Sequence, residues 1–153
     1  MELEGETISL MLHRARHTKR IHYPVFISIL LCQLSACSEQ DKVDIRSVLD
    51  ARDAAVSNHD IKSYAGLLIS GYEYNNQTEF EIINKMRGLF NQFEKIEMTS
   101  DNRTIRLLDD QHAECEQSYL LHVQANGEWR QINQRERISL TKTDSGWKIS
   151  GGL

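Results

Sequence analysis

The chain has 153 residues, with 18 basic and 22 acidic side chains and a formal net charge of −4 at pH 7. This length supports one hydrophobic core. The mildly acidic balance, without a basic patch that carries interleaved aromatic residues, argues against nucleic-acid binding. The sequence contains no Cys/His metal spacing, no glycine-rich phosphate loop and no Gly-x-Ser-x-Gly motif, so it predicts no metal and no cofactor.

The first element is an apolar run that follows a basic stretch. The positive charges before it are Arg14, Arg16, Lys19 and Arg20. The apolar part spans about Pro24–Leu34, well short of the roughly 20 residues that a membrane-spanning helix needs. This order of features is typical of a secretory signal peptide. A buried core helix fits less well, because Pro24 lies near its start and no polar face alternates with the apolar one.

The run ends in Leu34-Ser35-Ala36-Cys37, which resembles the lipobox of bacterial lipoproteins. The resemblance covers only the leader, residues 1–36. It implies cleavage before Cys37, lipid on the Cys37 thiol and acylation of the new amino terminus. Several acyl chains anchor a protein firmly, since each buried methylene adds about 0.8 kcal/mol. By the family's sorting rule, Ser38 implies the periplasmic face of the outer membrane. Met11 is an alternative start, because the ten residues before it contain three glutamates and are unusually acidic for a leader.

The mature part is predicted to contain a polar tether at residues 37–44 and one folded domain at residues 45–153. Apolar side chains recur at helical spacing from about Val43 to Ser57, which predicts an amphipathic helix. Asn58-His59 then breaks this helix. Asp60 is placed to cap a second helix, which is expected to end near Ser70-Gly71.

A third helix and a set of strands follow. Tyr72–Asn76 is expected to be irregular or briefly extended, and Thr78 and Glu81 form a capping box for the third helix. From Lys95 onward the apolar period changes from 3.6 to 2. This predicts strands at about Lys95–Ser100, Arg103–Leu108, His112–Ala125, Glu128–Lys142 and Trp147–Ser150.

The Asn126-Gly127 turn sets the register of the longest strand pair. Asn-Gly between alternating strands favours a two-residue type I′ turn, so Ala125 should face Glu128. The inward pairs are then Leu121–Ile132, Tyr119–Gln134, Gln117–Glu136, Cys115–Ile138 and Ala113–Leu140. The outward pairs include Glu116–Arg137 and Ser118–Arg135. A slip of one residue would exchange the two faces, so the pattern specifies this register.

The order of helix, helix, short extended piece, helix and long antiparallel meander resembles the nuclear transport factor 2-like superfamily, which includes ketosteroid isomerase, scytalone dehydratase and small polyketide cyclases. The residues that carry the resemblance are Asn58-His59-Asp60, Tyr64, Tyr72, the third helix and the strands around Arg137–Leu140 and Trp147–Ile149. It covers nearly all of about Val43–Leu153. It implies an α+β cone, in which three helices pack in a curved antiparallel sheet around a pocket.

Within the apolar inward face lies a polar inset, formed by Gln117, Tyr119, Gln134 and Glu136. One interpretation is a ligand site in which burial makes Glu136 an acid or base. A second is a structural cluster in which Gln117 and Gln134 hold Glu136 and Tyr119 closes the network. A third is a bulge that turns Glu136 out to solvent.

The remaining candidates have simpler interpretations. Tyr64 and Tyr72 are expected in the core or at the pocket rim, and Cys115 is expected as a small buried hydrophobe. Arg103 and Arg106 are expected to be solvated. The inward strand positions hold no Asp or His, so the residue sets of ketosteroid isomerase and scytalone dehydratase do not map onto this chain.

Two functions from different classes therefore remain open. The first is a non-catalytic module on the outer membrane that binds a small apolar ligand in the cone or a protein partner on the outer sheet face. The second is a small lyase or isomerase that uses Glu136. A homodimer is compatible with either.

Overall fold

The computed structural model describes residues 23–153, with side chains from Cys37 onward. The basic part of the leader and Met11 lie outside the described residues. The elements are α1 (Tyr23–Ser57), α2 (Ile61–Gly66), β1 (Glu73–Tyr74), β2 (Gln77–Thr78), α3 (Glu79–Gln92), β3 (Lys95–Leu107), β4 (His112–Ala125), β5 (Glu128–Thr143) and β6 (Gly146–Gly151). Along this part of the chain, no helix has the length and apolar character needed to cross a membrane.

Helix α1 is continuous through residues 37–44, the segment that was expected to be a polar tether. Residues 37–44 are helical because local side-chain pairs support the backbone, such as Lys42 with Glu39 at 2.7 Å. Asp41 also fixes this turn to the end of the sheet. Its Oδ1 accepts hydrogen bonds from Lys142 Nζ at 2.5 Å and Trp147 Nε1 at 3.0 Å. The helix therefore begins earlier than the apolar spacing predicted.

The break after α1 and the cap of α2 agree with the prediction, but the end of α2 does not. His59 has a φ of 54°, and the Asp60 side chain accepts hydrogen bonds from the backbone of Lys62 and Ser63. Helix α2 ends at Gly66 and not near Ser70-Gly71. The reason is that the following residues bond to β6, where Ile149 N–H donates to the Leu67 carbonyl at 2.8 Å.

The short extended piece is a two-stranded hairpin, and the capping box of α3 is confirmed. Asn75 and Asn76 turn the hairpin with φ values of 50° and 60°. The Thr78 side chain accepts from the Glu81 backbone, while the Glu81 side chain accepts from the Thr78 backbone. This reciprocal pair satisfies two donors that the first helical turn would otherwise leave unbonded.

The main sheet has four antiparallel strands in the order β3-β4-β5-β6. Every predicted β4–β5 pair is confirmed, from Ala125↔Glu128 to Ala113↔Leu140. Asn126 and Gly127 have φ values of 53° and 77°, as a type I′ turn requires. One prediction was wrong: the break expected at Asp101-Asn102 is a β-bulge inside a single long β3, which lets the strand bend without ending.

The core lies between the inward face of the sheet and the helices. Buried residues of α1, including Ile45, Leu49 and Val56, share it with Cys115, Ile138, Leu140 and Ile149 of the sheet. Cys115 is buried as predicted, and burial raises the pKa of its thiol to about 11. This architecture confirms the predicted α+β fold class, with N-terminal helices packed against a curved antiparallel sheet.

Candidate functional site: a buried ion-pair cluster

The polar inset of the inward face is organised by Arg52, a residue of α1. Its guanidinium makes a bidentate ion pair with Glu136, with Nη1–Oε1 at 2.7 Å and Nη2–Oε2 at 3.0 Å. The Arg52 and Glu136 side chains are only 7% and 11% exposed. Charge-assisted bidentate pairs are among the strongest hydrogen bonds in proteins, and their geometry holds both groups in place.

Gln117 joins this pair to a second arginine. Its Nε2 donates to Glu136 Oε1 at 2.7 Å, and its Oε1 accepts from Arg103 Nε at 2.8 Å. Gln117 is 1% exposed. Both ends of the amide are therefore bonded inside the cone, and the Gln117 interaction with Glu136 is one of the two that the structural interpretation of the inset required.

Arg103 is not solvated, contrary to expectation. Its side chain is 13% exposed and pairs with Asp53 at 3.0 Å and with the outlying Asp50. Asp53 also accepts two hydrogen bonds from Ser100 of β3, one from the backbone N–H and one from the hydroxyl. The bulge in β3 immediately follows this position, so it carries Arg103 to the inward side. Arg106 is exposed, as expected, and pairs with Glu114.

The cluster contains nearly balanced charges. Burial raises the pKa of Asp53, against the opposing effects of the Ser100 hydroxyl bond, Arg103 and Arg52. Burial works most strongly against the charge of Arg52, but the attraction of Glu136 and other nearby groups outweighs it and raises the pKa of Arg52. The Nε of Arg52 is buried without a hydrogen-bond partner among the described residues. Arg52 therefore depends mainly on Glu136 for compensation.

The aromatic candidates lie at different places around the cluster. The Arg52 guanidinium carbon is 6.0 Å from the centre of the Tyr119 ring, within cation–π range. The Tyr119 hydroxyl donates to Gln134 Oε1 at 2.6 Å, so Gln134 holds Tyr119 and not Glu136. Tyr64 is fully buried, and this burial raises its pKa. The buried Tyr72 accepts a hydrogen bond from the Leu153 backbone at 3.3 Å.

The predicted pocket residues are divided among several of the depressions that the described residues form. Glu136 borders an open depression of about 570 Å³ with Tyr74, Glu116, Arg135 and Arg137. Tyr119 borders a different one of about 220 Å³, and Tyr72 a third of about 430 Å³. Tyr64 and Gln117 are buried, and Gln134 is exposed. The inset therefore consists of two hydrogen-bonded pairs, Gln117 with Glu136 beside Arg52 and Tyr119 with Gln134 at the exposed end.

Sequence reasoning missed Arg52, although a signal was present. Ile45, Leu49 and Val56 mark the buried stripe of α1, and Arg52 lies three residues after Leu49 and four before Val56. Residues at these spacings share one face of a helix. A charged residue on a buried stripe needs a buried partner, and the sheet offered Glu136 as the only inward carboxylate of the inset.

The outer face of the sheet carries a further depression, of about 390 Å³, with lining residues Glu97, His122, Trp129, Arg130 and Gln131. Trp129 is 47% exposed. Exposed aromatic residues on a mixed polar surface are typical of protein–protein contact sites.

The described residues fold as an α+β cone, and this fold is similar to that of solved structures of the nuclear transport factor 2-like type. No protein-family model matches the chain, and no curated protein matches it in sequence. Among solved structures, a proposed scytalone dehydratase from Novosphingobium aromaticivorans is similar, with a TM-score of 0.66 and 13% identity over 76% of this chain and 83% of that one.

Two further structures show the same likeness. A proposed dehydratase of the NTF2-like family from Streptomyces avermitilis has a TM-score of 0.66 and 11% identity, over 75% of this chain and 94% of that one. A proposed calcium/calmodulin-dependent protein kinase II association domain from Xanthomonas campestris has a TM-score of 0.61 and 22% identity, over 71% and 81%. At these identities the likeness shows the fold alone.

Proposed function

We propose that the protein is a lipid-anchored, non-catalytic interaction module on the periplasmic face of a bacterial outer membrane, which binds a protein partner on the outer face of its sheet. The observation that carries the non-catalytic part is the bidentate pair between Arg52 and Glu136. The lipobox-like Leu34-Ser35-Ala36-Cys37 and the exposed Cys37 support the anchored part.

A catalytic role would make a severe demand on Glu136. To take a proton from a substrate, the carboxylate would have to give up bonds to Arg52 and Gln117. That would leave the guanidinium buried without its counter-charge, and loss of one member of a buried pair costs about 3–5 kcal/mol. Glu136 therefore serves better as a fixed structural anion than as a base.

The outer face supports the interaction part of the proposal. It combines the exposed Trp129 with His122 and Glu97 around one depression, whereas the inward cluster is packed with bonded polar groups. A photo-crosslinking amino acid at Glu97, tested in whole cells, should form an adduct with another protein. The same amino acid in the β5–β6 turn at Asp144 should not, and Trp129→Ala should remove the Glu97 adduct. Equal adducts at both positions would contradict the proposal.

The anchor has its own experiment. Lipid is attached through the thiol, so Cys37→Ser should leave the chain unprocessed, which mass spectrometry of the membrane fraction would reveal. Cys115→Ser is the matched control, because Cys115 is buried and should not affect processing. A mature protein without lipid, cut at another position, would refute the anchor.

A second candidate is a small lyase or isomerase that uses Glu136. It is favoured by the depression of about 570 Å³ that Glu136 borders and by the proposed dehydratases among the similar structures. In that case Glu136→Gln should fold normally yet lose a ligand, or a turnover, that the parent protein shows. A ligand screen beside a thermal melt separates this outcome from the structural role.

A further inference from the structure

The two edges of the main sheet are protected differently. On the β3 edge, side chains of α1 satisfy the backbone: Met98 N–H donates to Ser57 Oγ at 2.8 Å, and Ser100 N–H donates to Asp53 Oδ2 at 3.0 Å. On the other edge, β6 pairs with β5 only from Ser139 to Thr143. Within residues 23–153, no strand pairs with β5 on this side between Glu128 and Ile138.

The hairpin geometry shows which backbone groups face this open edge. In a two-residue hairpin the residues that flank the turn form a hydrogen-bonded pair, and such pairs alternate along the ladder. The even-numbered residues of β5 therefore bond to β4, as Lys142 N–H does with the Gln111 carbonyl at 2.7 Å. The odd-numbered residues of β5 point their backbone N–H and C=O groups toward the open edge. These residues are Trp129, Gln131, Asn133, Arg135 and Arg137.

The chain end limits how much of this edge is free. A Cβ built on Gly152 would lie 2.0 Å from the Arg137 carbonyl oxygen, so the backbone of Gly152 already occupies the edge there. The accessible edge is therefore Trp129–Arg135, about 24 Å long at the usual rise per residue. It carries two of the exposed large apolar side chains, Trp129 at 47% and Ile132 at 39% exposure.

We propose that this open β5 edge, Trp129–Arg135, pairs antiparallel with the same edge of a second copy of the chain, with the two-fold axis at Ile132. Identical edges related by a closed two-fold axis run antiparallel. This register places odd-numbered residues of one copy opposite odd-numbered residues of the other. Their edge-facing N–H and C=O groups therefore form about eight new backbone hydrogen bonds. The two four-stranded sheets then form one continuous sheet.

The side chains fit this register. On the inward face, Ile132 meets its own copy in a non-hydrogen-bonded pair, where side chains lie closest. On the outward face, Trp129 lies opposite Arg135, a cation–π pair that occurs twice by symmetry, and Gln131 lies opposite Asn133. No like charges face each other directly within the segment.

Neighbouring registers fit less well. A shift by two residues toward the chain end would place Trp129 opposite Arg137, where Gly152 lies. A shift the other way would place Ile132 opposite Arg130 and Arg135 opposite Gly127, which lies in the partner's turn and not in a strand. The centre at Ile132 is thus favoured by space, apolar contact and charge together.

The association is tested with the full-length chain that carries Cys32→Ser and Cys37→Ser, purified in mild detergent and studied by sedimentation velocity over a range of concentrations. A monomer–dimer equilibrium is expected, and Gln131→Pro should weaken it at least tenfold. Proline at this edge position removes an N–H that makes no bond to β4, so the fold should persist, as near-ultraviolet circular dichroism would verify. Gln131→Thr is the control that keeps the N–H and the dimer.

A cysteine scan tests the register in the same chain. Ile132→Cys should form a disulfide-linked dimer on mild oxidation, because residue 132 faces its own copy. Arg130→Cys lies on the same face but about 14 Å from its copy, so it should crosslink at least tenfold more slowly. The proposal is overturned by a monomer at all concentrations, by a dimer that Gln131→Pro leaves unchanged, or by equal crosslinking at positions 130 and 132.

Discussion

Replacement of Glu136 by leucine is the most informative perturbation of the buried cluster. The change would leave the Arg52 guanidinium buried without its counter-charge, and the Gln117 amide nitrogen would keep only Ser100 Oγ, at 3.3 Å, as acceptor. Breaking a buried pair in this way costs about 3–5 kcal/mol, and the lost hydrogen bond from Gln117 to the carboxylate adds about 1.5–3 kcal/mol. We therefore expect a loss of about 4 kcal/mol or more, a large part of the stability of a small domain.

The double variant Arg52→Met with Glu136→Leu gives the decisive comparison. It removes both charges and keeps similar side-chain volumes, so the free energy of unfolding should return to within about 2 kcal/mol of the parent value. Such recovery would show a strong coupling between the two positions, which a double-mutant cycle that includes Arg52→Met alone measures directly.

The matched control is Glu128→Leu, which removes a carboxylate from the same inward face of the same strand. The Glu128 side chain is 77% exposed and approaches Arg130 only at 4.0 Å, so little change is expected. Unfolding in urea at pH 7, followed by tryptophan fluorescence, gives the free energies of unfolding of the parent, the three variants of the cycle and the control. If Glu136→Leu cost no more than Glu128→Leu, the interpretation of Glu136 as a structural anion would be wrong.

Two further predictions concern other parts of the fold. The hydrogen bond from Lys142 lowers the pKa of Asp41 below its ordinary 3.8; partial burial opposes this effect and the Trp147 hydrogen bond adds to it. The ionised Asp41 therefore stabilises the fold fully above pH 3.8, and this stabilisation is lost as the pH falls through the lowered pKa. Urea unfolding of the parent and Asp41→Asn from pH 7 to pH 2.5 should therefore show a stability difference that shrinks in acid, and a constant difference would contradict it. Gly152→Ala should lower the melting temperature, because the new Cβ would lie 2.0 Å from the Arg137 carbonyl oxygen. The control is Gly88→Ala inside α3, where the new Cβ meets no atom within 4 Å and the change should raise the free energy of unfolding by up to about 1 kcal/mol. Equal effects of the two changes in a thermal melt would refute the close approach at Gly152.

Local chemistry explains which features could be predicted from the sequence. Asn126-Gly127 accepts two positive φ values, and the period of two on either side fixes which residues face each other, so the β4–β5 register followed directly. Asp60 and Thr78 act within three residues of themselves, and both caps formed as expected. Features that depend on nearby residues alone were readable.

Features set by distant partners were not. Helix α2 ends early because Leu67 bonds to Ile149, more than 80 residues away along the chain. The segment at 37–44 is helical partly because Asp41 reaches the β5–β6 hairpin. Arg52 and Glu136 are 84 residues apart, and neither the helical spacing of α1 nor the alternation of β5 alone predicted that they would pair. The candidate site was thus recognised on the sheet but not on the helix that completes it.

The unbroken course of α1 limits how far the domain can reach. Cys37 lies one helical turn before Asp41, about 6 Å along the axis, and Asp41 is already fastened to the end of the sheet. In the proposed lipoprotein, one continuous rigid helix therefore joins the acylated Cys37 to the core. The domain would lie close to the lipid headgroups, at a nearly constant distance from them and with a nearly constant orientation. It would contact partners at the bilayer surface. A domain on a long flexible linker, in contrast, would also reach partners deeper in the periplasm.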